Sequence, residues 1–214
     1  MTHIIKMKGK GVDEIMIKTF VGPMFSGKSD ALISVYQKIW NKDLVMAFKP
    51  RKDTRDKEFI KSKNYEVQIP AVFIDDVGEI KDCIHGRNIH TIFIDEAEFL
   101  TGDVAELVAL SVYYDIDFYI AGLNMTSEQK PFGLIGDILA VSDEVENITG
   151  FCQDCNKPSR YTFYEPEKSD DVLVGDEGYV SLCPACLRKR VLRRDEVKRL
   201  TLTPQIQYKP GGNE

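Results

Sequence analysis

The chain has 214 residues, 43% of them hydrophobic and 29% charged, enough apolar material for one full-sized globular domain and a small accessory one. Its 34 acidic residues outnumber 28 basic ones, and the net charge of -6 argues against a surface given over to nucleic acid. No apolar run approaches the roughly 20 residues of a membrane-spanning helix, and residues 1–13 carry neither a signal-peptide core nor an Arg-rich amphipathic pattern. The expectation is a cytoplasmic protein with no membrane contact, in which reduced cysteines hold metal rather than form disulfides.

Residues 13–21 end in a β-prone run, Ile15-Met16-Ile17 and Phe20-Val21, followed at once by a glycine loop over 22–29. Leu32, Val35, Tyr36, Ile39 and Trp40 then recur at spacings of three and four, which predicts an amphipathic helix stopping at Asn41. The apolar runs 44–48, 90–94 and 118–121 suit strands buried on both faces of a parallel sheet. Residues 75–84 and 103–111 read as intervening helices, so a three-layer α/β domain reaches to about Ser142. From Val145 short β-prone pieces, turn residues and two cysteine pairs predict a small metal-organised lobe extending to about Arg190. The terminal stretch 209–214, Lys-Pro-Gly-Gly-Asn-Glu, is expected to be disordered.

Gly22-Pro23-Met24-Phe25-Ser26-Gly27-Lys28-Ser29 matches the Walker A pattern between a predicted strand and a predicted helix. Gly27 permits the tight turn that aims backbone N–H groups at phosphates, Lys28 reaches the β and γ phosphates, and the Ser29 hydroxyl can ligate magnesium. The apolar strand Thr91-Ile92-Phe93-Ile94 ends in Asp95-Glu96. Two acids after a strand also mark helix starts, but downstream of a Walker A loop Asp95 takes the magnesium-holding position and Glu96 can orient an attacking hydroxyl or water.

Cys152-Gln-Asp-Cys155 and Cys183-Pro-Ala-Cys186 form two Cys-x-x-Cys knuckles, which together supply the four thiolates of a closed, structural zinc site. A redox motif would need only one pair. Zinc would tie down both ends of 156–182, a segment with little apolar material of its own. Cys83 is expected to be a buried small side chain on a helix face.

The Walker loop 22–29, Lys52-Asp-Thr-Arg55, Asp95-Glu-Ala-Glu-Phe99, Gly122-Leu123, Lys130-Pro-Phe-Gly133, the two cysteine pairs and Val174-Gly-Asp-Glu-Gly-Tyr179 together resemble the type II thymidine kinases over residues 18–187. The resemblance implies an α/β fold of the P-loop NTPase-like (RecA-like) kind, a parallel sheet flanked by helices, with a small zinc-binding lasso domain. The implied division is an extension at 1–14, a kinase domain at 15–143, the lasso domain at 144–190 and a basic tail at 191–214. The implied reaction transfers the γ-phosphate of ATP, with Mg2+, to the 5′-hydroxyl of thymidine or deoxyuridine. By resemblance Glu96 is the general base, Arg55 lies near the transferring phosphate, and Asp53 and Asp95 are magnesium-associated. Residues 172–179, including Val172, Leu173, Val174, Gly175 and Tyr179, correspond to a lasso over the nucleoside. Thr162 lines the base pocket, with Met24, Phe99, Leu123 and Phe132 as apolar walls. The family also implies a homotetramer and feedback inhibition by dTTP.

The chain departs from that pattern at three places. Glu98 stands where the family usually has glutamine, adding negative charge near magnesium, and Ser127 stands where an aromatic residue usually flanks the base. Ser62-Lys63-Asn64-Tyr65 lacks the histidine or arginine plus glycine often seen there. These departures predict weaker thymidine binding or a preference for deoxyuridine or a modified pyrimidine deoxynucleoside. Arg188, Lys189, Arg190, Arg193, Arg194, Lys198 and Arg199, without aromatic residues for base stacking, read as a solvated terminal helix or subunit contact. The competing reading of the chain is a zinc-containing P-loop ATPase acting on single-stranded DNA. It requires DNA-stimulated hydrolysis and a trans-acting arginine that the sequence does not identify.

Overall fold

The structure is a computed structural model describing residues 16–52, 58–62, 64, 66–165 and 178–202, the last seven by backbone alone. Asp53, Arg55, Val172, Leu173, Val174 and Gly175, with residues 1–14 and 209–214, lie outside the described residues.

The chain runs β1 (Ile17–Val21), α1 (Lys28–Lys38), β2 (Val45–Pro50), β3 (Phe59–Ile60), β4 (Ile69–Pro70), β5 (Val72–Ile74), α2 (Glu79–Ile84), β6 (Thr91–Ile94), α3 (Ala105–Tyr114), β7 (Asp117–Gly122), α4 (Ile135–Val141) and β8 (Glu144–Asn147). There follow β9 (Gly150–Phe151), β10 (Pro158–Ser159), β11 (Tyr161–Tyr164), β12 (Tyr179–Leu182) and α5 (Pro184–Leu202). Six strands form one parallel sheet in the order β5-β2-β6-β7-β1-β8. Because every strand points the same way, the turns after β1, β2, β6 and β7 open on one edge, where α/β sheets carry their sites.

Alternate side chains of the sheet enter opposite cores, as a strand period of two dictates. Val21, Phe48, Ile92, Ile94, Phe118 and Ile120 pack with α2, α3 and α4 on one face. Phe20, Ala47, Phe93 and Ala121 meet Leu32 and Ile33 of α1 on the other, so the sheet is covered on both sides and the three-layer expectation holds. Phe48, Phe93 and Phe118 are fully buried, each contributing on the order of 1.5–3 kcal/mol by leaving water. Cys83 is half-buried against the first of these cores, less enclosed than expected.

Differences from the sequence reading lie at element ends. α1 stops at Lys38, because Ile39 turns extended (φ -74°, ψ 125°), and Lys42 Nζ donates to the Ile39 carbonyl at 2.7 Å and to that of Tyr36. Trp40 therefore leaves the helical face its spacing suggested and is 98% exposed. Over 75–78 the chain makes a turn, in which Asp76 Oδ1 accepts from Gly78 N at 2.9 Å and Glu79 Oε1 from Asp75 N at 2.8 Å, and α2 begins only at Glu79. α3 runs three residues beyond Ser111 and ends where Asp115 turns left-handed at φ 59°. β8 pairs in parallel with Lys18–Val21, so residues 144–147, expected in the small lobe, complete the main sheet instead. All four of its residues are exposed, leaving no apolar pattern to reveal it.

Beyond β8, β9 with β10 and β11 with β12 form two antiparallel pairs. Phe163, Leu182, Cys152, Cys183 and Cys186 make a separate small core against Val180, Leu187 and Val191. Of the basic side chains described on α5, Arg188, Lys189, Arg193 and Arg194 are exposed, as expected, and Arg190 is half-buried. Its guanidinium donates from Nε to Asp154 Oδ2 at 3.1 Å and from its terminal nitrogens to Asp154 and Glu165, clamping the first knuckle to the end of β11.

Candidate active site

The loop from β1 to α1 is shaped by two glycines. A Cβ on Gly22 would lie 2.1 Å from the Ile148 carbonyl oxygen, so the chain leaving β1 can pass beside the β8 connection only without a side chain. Gly27 caps α1 at φ 89°, a conformation that L side chains avoid. The N-terminus of α1 thereby faces the loop, where its free N–H groups suit phosphate. Ser26 Oγ is buried and, among the described residues, has no hydrogen-bond partner, a donor left open inside the phosphate cradle.

Lys28 is buried and donates from Nζ to the Pro23 carbonyl at 2.9 Å, folding its amine back over the loop. Ser29 Oγ donates to Asp95 Oδ2 at 2.9 Å, joining the start of α1 to the end of β6. Asp95 is 4% exposed; burial and the neighbouring Glu96 push its carboxyl up to about 6 against the opposing pull of Lys49, Ser29 and Lys28. A buried carboxylate repelled by a second acid, with a hydroxyl beside it, is a donor set that fits a hard divalent cation.

Glu96 has φ 54° and ψ 40°, left-handed for a residue with a Cβ, at a cost of about 1–2 kcal/mol. Its N–H donates to Asp95 Oδ1 at 3.0 Å. The strained backbone turns the chain out of β6 and into the short turn that carries Glu98.

The surroundings of Glu98 oppose the negative charge expected there. The residue is 2% exposed, and burial followed by repulsion from Glu96 holds its carboxyl well above the ordinary range, outweighing Lys28. Burial without a hydrogen-bond partner among the described residues thus disfavours the charged form of this side chain. Lys49 was not foreseen. It sits at the carboxyl end of β2, 4% exposed, and its charge is the largest influence keeping Asp95 ionised. One lysine within Val-Met-Ala-Phe-Lys-Pro was the only available signal, because a lone cation after an apolar run usually marks a strand end.

The expected apolar walls come together in part. Phe99 and Phe132 meet edge to face with centroids 5.2 Å apart, and Lys52 Nζ stands 5.3 Å from the Phe99 ring centre. Leu123 is 9% exposed at the end of β7. Thr162 Oγ1 accepts the Met24 N–H at 2.9 Å, which fastens β11 of the small lobe to the phosphate loop across 138 residues of sequence. Tyr179, at the start of β12, packs on Tyr164 with ring centroids 4.8 Å apart. The divergent stretch after the Asp-x-Arg element also has a partner: Ser62 Oγ and Asn64 Nδ2 donate to the Asp30 carboxylate, the latter at 2.6 Å.

The four knuckle sulfurs, Cys152, Cys155, Cys183 and Cys186, all lie within 4.8 Å of one another, and those of Cys155 and Cys183 are 3.6 Å apart. Tetrahedral zinc with bonds of about 2.3 Å requires sulfurs about 3.8 Å apart, so the set fits the ion with small inward shifts. Burial works against ionising Cys152, yet the N–H groups of Cys183, Asp154 and Cys155 draw its thiol down to about 6. Contacts with the Cys155 sulfur, then burial, push Cys186 up to about 12; four thiolates in one place call for a cation to neutralise them.

Comparison with known proteins agrees with this geometry. The family model for thymidine kinase matches residues 15–187. The thymidine kinase of Mycoplasma genitalium is 31% identical over 194 residues, 88% of this chain and 90% of that protein. That of Onion yellows phytoplasma is 34% identical over 196 residues, covering 87% and 90%. The thymidine kinase of Deinococcus deserti is 31% identical over 184 residues, covering 78% and 91%. With the match spanning both the sheet and the cysteine lobe, the chain belongs to the thymidine kinase family.

Proposed function

We infer that the protein transfers the γ-phosphate of ATP to the 5′-hydroxyl of thymidine, or of deoxyuridine, giving the nucleoside 5′-monophosphate for pyrimidine deoxynucleotide salvage in the cytoplasm. One observation carries the reading: Ser29 and Asp95, hydrogen-bonded at 2.9 Å, stand beside Lys28 and Glu96 on the edge to which Thr162 fastens the cysteine lobe. A phosphate cradle, a cation pair and an acceptor for a hydroxyl proton thus share one edge with a lobe able to cover an acceptor molecule.

The backbone N–H groups of residues 22–29 and the Ser26 hydroxyl bind phosphate oxygens, and Lys28 swings from Pro23 to the β and γ phosphates. Ser29 and Asp95 would hold magnesium, which would neutralise charge on the phosphates. Glu96 accepts a hydrogen bond from the 5′-hydroxyl, aligns it in line with the γ-phosphorus and receives its proton late. Arg55 and Asp53 take the roles the family resemblance implies, near the transferring phosphate and near magnesium. Electrostatic stabilisation of the transferring group lowers the barrier more than this proton transfer does, and Lys28 and Arg55 are its protein donors.

Met24, Leu123, Phe99, Phe132, Thr162 and Tyr179 enclose the base, and Val172, Leu173, Val174 and Gly175 supply the backbone groups of the lid. Cys152, Cys155, Cys183 and Cys186 would hold zinc, which would shape that lid as a structural ion. Exposed Val112, Tyr113 and Tyr114 at the end of α3, with Trp40, support a homo-oligomer, for which the family resemblance suggests four subunits and feedback by dTTP.

The test is phosphotransfer from Mg·ATP to thymidine, deoxyuridine, deoxycytidine and deoxyguanosine by zinc-replete protein, beside Glu96→Gln. Thymidine 5′-monophosphate should form, with kcat about 10²–10⁴-fold lower in the variant at unchanged Tm. The KM values of thymidine and deoxyuridine decide what Ser127 does to substrate ranking. ATP hydrolysis that needs single-stranded DNA and no nucleoside would overturn the inference.

A further inference from the structure

Three acids, Asp95, Glu96 and Glu98, stand on the turn after β6, and only the first two have a part in the reaction as described. Glu98 is 2% exposed and, among the described residues, neither carboxyl oxygen has a hydrogen-bond partner. Its side chain is walled by Gly122 at the end of β7, where a Cβ would lie only 2.8 Å from Glu98 Oε2 and the same distance from the Ile135 side chain. The Phe132-Gly133 turn closes against its backbone, a Cβ on Gly133 falling 1.7 Å from the Glu98 carbonyl oxygen. A carboxyl group so enclosed has no route to water, and leaving a buried polar group unmatched is costly.

Among the described residues, the charged groups facing Glu98 are Glu96, from its own turn, and Lys28, from the start of α1. Burial comes first in keeping the carboxyl protonated, the negative charge and side-chain contact of Glu96 come next, and Lys28 opposes them. A carboxylic acid that keeps its proton has one O–H to give, and the charged acceptor it faces is the Glu96 carboxylate. Glu96 meanwhile projects from a left-handed backbone, so its carboxylate depends on contacts outside its own turn to hold one orientation.

We propose that Glu98 is a positioning residue, a neutral carboxylic acid that donates its O–H to the Glu96 carboxylate and so fixes the oxygen that accepts the nucleoside 5′-hydroxyl. The proposal rests on the role given to Glu96 above. The proton stays on Glu98 throughout the reaction, and the proton from the 5′-hydroxyl goes to the other oxygen of Glu96. Ionisation of Glu98 at alkaline pH places two negative carboxylates side by side, turns Glu96 out of line and lowers kcat while leaving ATP binding in place. Folding is linked to the same proton. The native carboxyl binds it more tightly than the unfolded chain does, so the stability it contributes is present at acid pH and lost as pH rises above the usual carboxylate value of about 4.3.

The experiment pairs infrared spectroscopy with kinetics on the intact, zinc-loaded protein. At about pH 8, where exposed carboxyls are ionised, the wild type should show the carbonyl stretch of a protonated carboxylic acid, and Glu98→Gln should lack it. Glu98→Leu should lower kcat at neutral pH by at least about tenfold with KM for ATP unchanged, and Glu98→Gln, whose amide can still donate, should recover most of that loss. The alkaline fall of kcat seen in the wild type should be absent from Glu98→Gln, and the Tm advantage of Glu98→Gln over wild type should grow with pH. The proposal is overturned if the band is missing at pH 8, if the glutamine variant is as impaired as the leucine variant, or if its alkaline fall persists. A protein lacking the band yet phosphorylating thymidine normally overturns this proposal alone. The band without any nucleoside kinase activity overturns the role of Glu96, and the proposal with it.

Discussion

Asp95 has to be negative to hold a cation, yet burial and Glu96 raise its carboxyl to about 6, close to the pH at which it must work. Lys49 is the largest counterweight. Replacing it by methionine keeps the length of the chain and removes the charge, so the Asp95 carboxyl rises further. The acid limb of the kcat/KM profile of Lys49→Met should move to higher pH, and activity at neutral pH should fall by about tenfold, the scale of one charge-assisted contact. An unshifted acid limb in a folded variant would remove Lys49 from the site. Residues with chemistry of their own and fixed spacing, Lys28, Ser29, Asp95, Glu96 and the four cysteines, were legible in the sequence. Lys49 and Glu98 were not, because their significance lies in burial, and burial depends on which strands and turns pack around them.

Among the elements, strands β1, β2, β6 and β7 were readable because continuous apolar runs suit the centre of a parallel sheet. Edges and ends were less so: β5 has three residues, β8 is wholly exposed, and α1 ends by the conformation of Ile39 rather than by its composition. The turn between β5 and α2 is held by Arg51, which follows β2 and pairs with Glu79 Oε2 at 2.9 Å and Asp75 Oδ2 at 3.1 Å. The Arg51 guanidinium, then the Asp75 and Asp76 N–H groups, draws the Glu79 carboxyl down to about 2. Since the folded value lies below the unfolded one, this contribution is present above about pH 4.3 and lost as pH falls toward 2. Glu79→Gln should flatten the decline of Tm over that window while changing it little at neutral pH, because the pair is solvent-exposed. A decline as steep as in the wild type would exclude the pair as its source.

For the molecule as a whole, the cysteine lobe has only a small apolar core, and its grip on the sheet includes the part-buried hydrogen bond from Met24 N–H to Thr162 Oγ1. Removing zinc by chelation should release β9, β10, β11 and β12 to fast amide exchange while β1, β2, β6 and β7 stay protected, measured by hydrogen exchange with mass spectrometry. KM for thymidine should rise by at least about tenfold, with KM for ATP less affected, since the lid and not the phosphate loop loses its frame. Equal loss of protection in the sheet would show that zinc holds the whole fold.

The order of strand, glycine loop and helix, the paired acids after a strand and the two cysteine knuckles follow from local patterns, in which spacing along the chain decides what backbone geometry and ligand chemistry can occur. Those patterns were enough to specify the central strands of the sheet, the glycine loop before α1, the pairing of cysteines into one cluster and the family. Three features depended on the packed molecule: the strand order, which brings Ser29 to Asp95; the docking of Thr162 on Met24; and the enclosure of Lys49 and Glu98. Each joins residues far apart in the chain or depends on water being excluded from a side chain. Proton affinity and charge pairing respond to that exclusion, which exists only once the layers have closed.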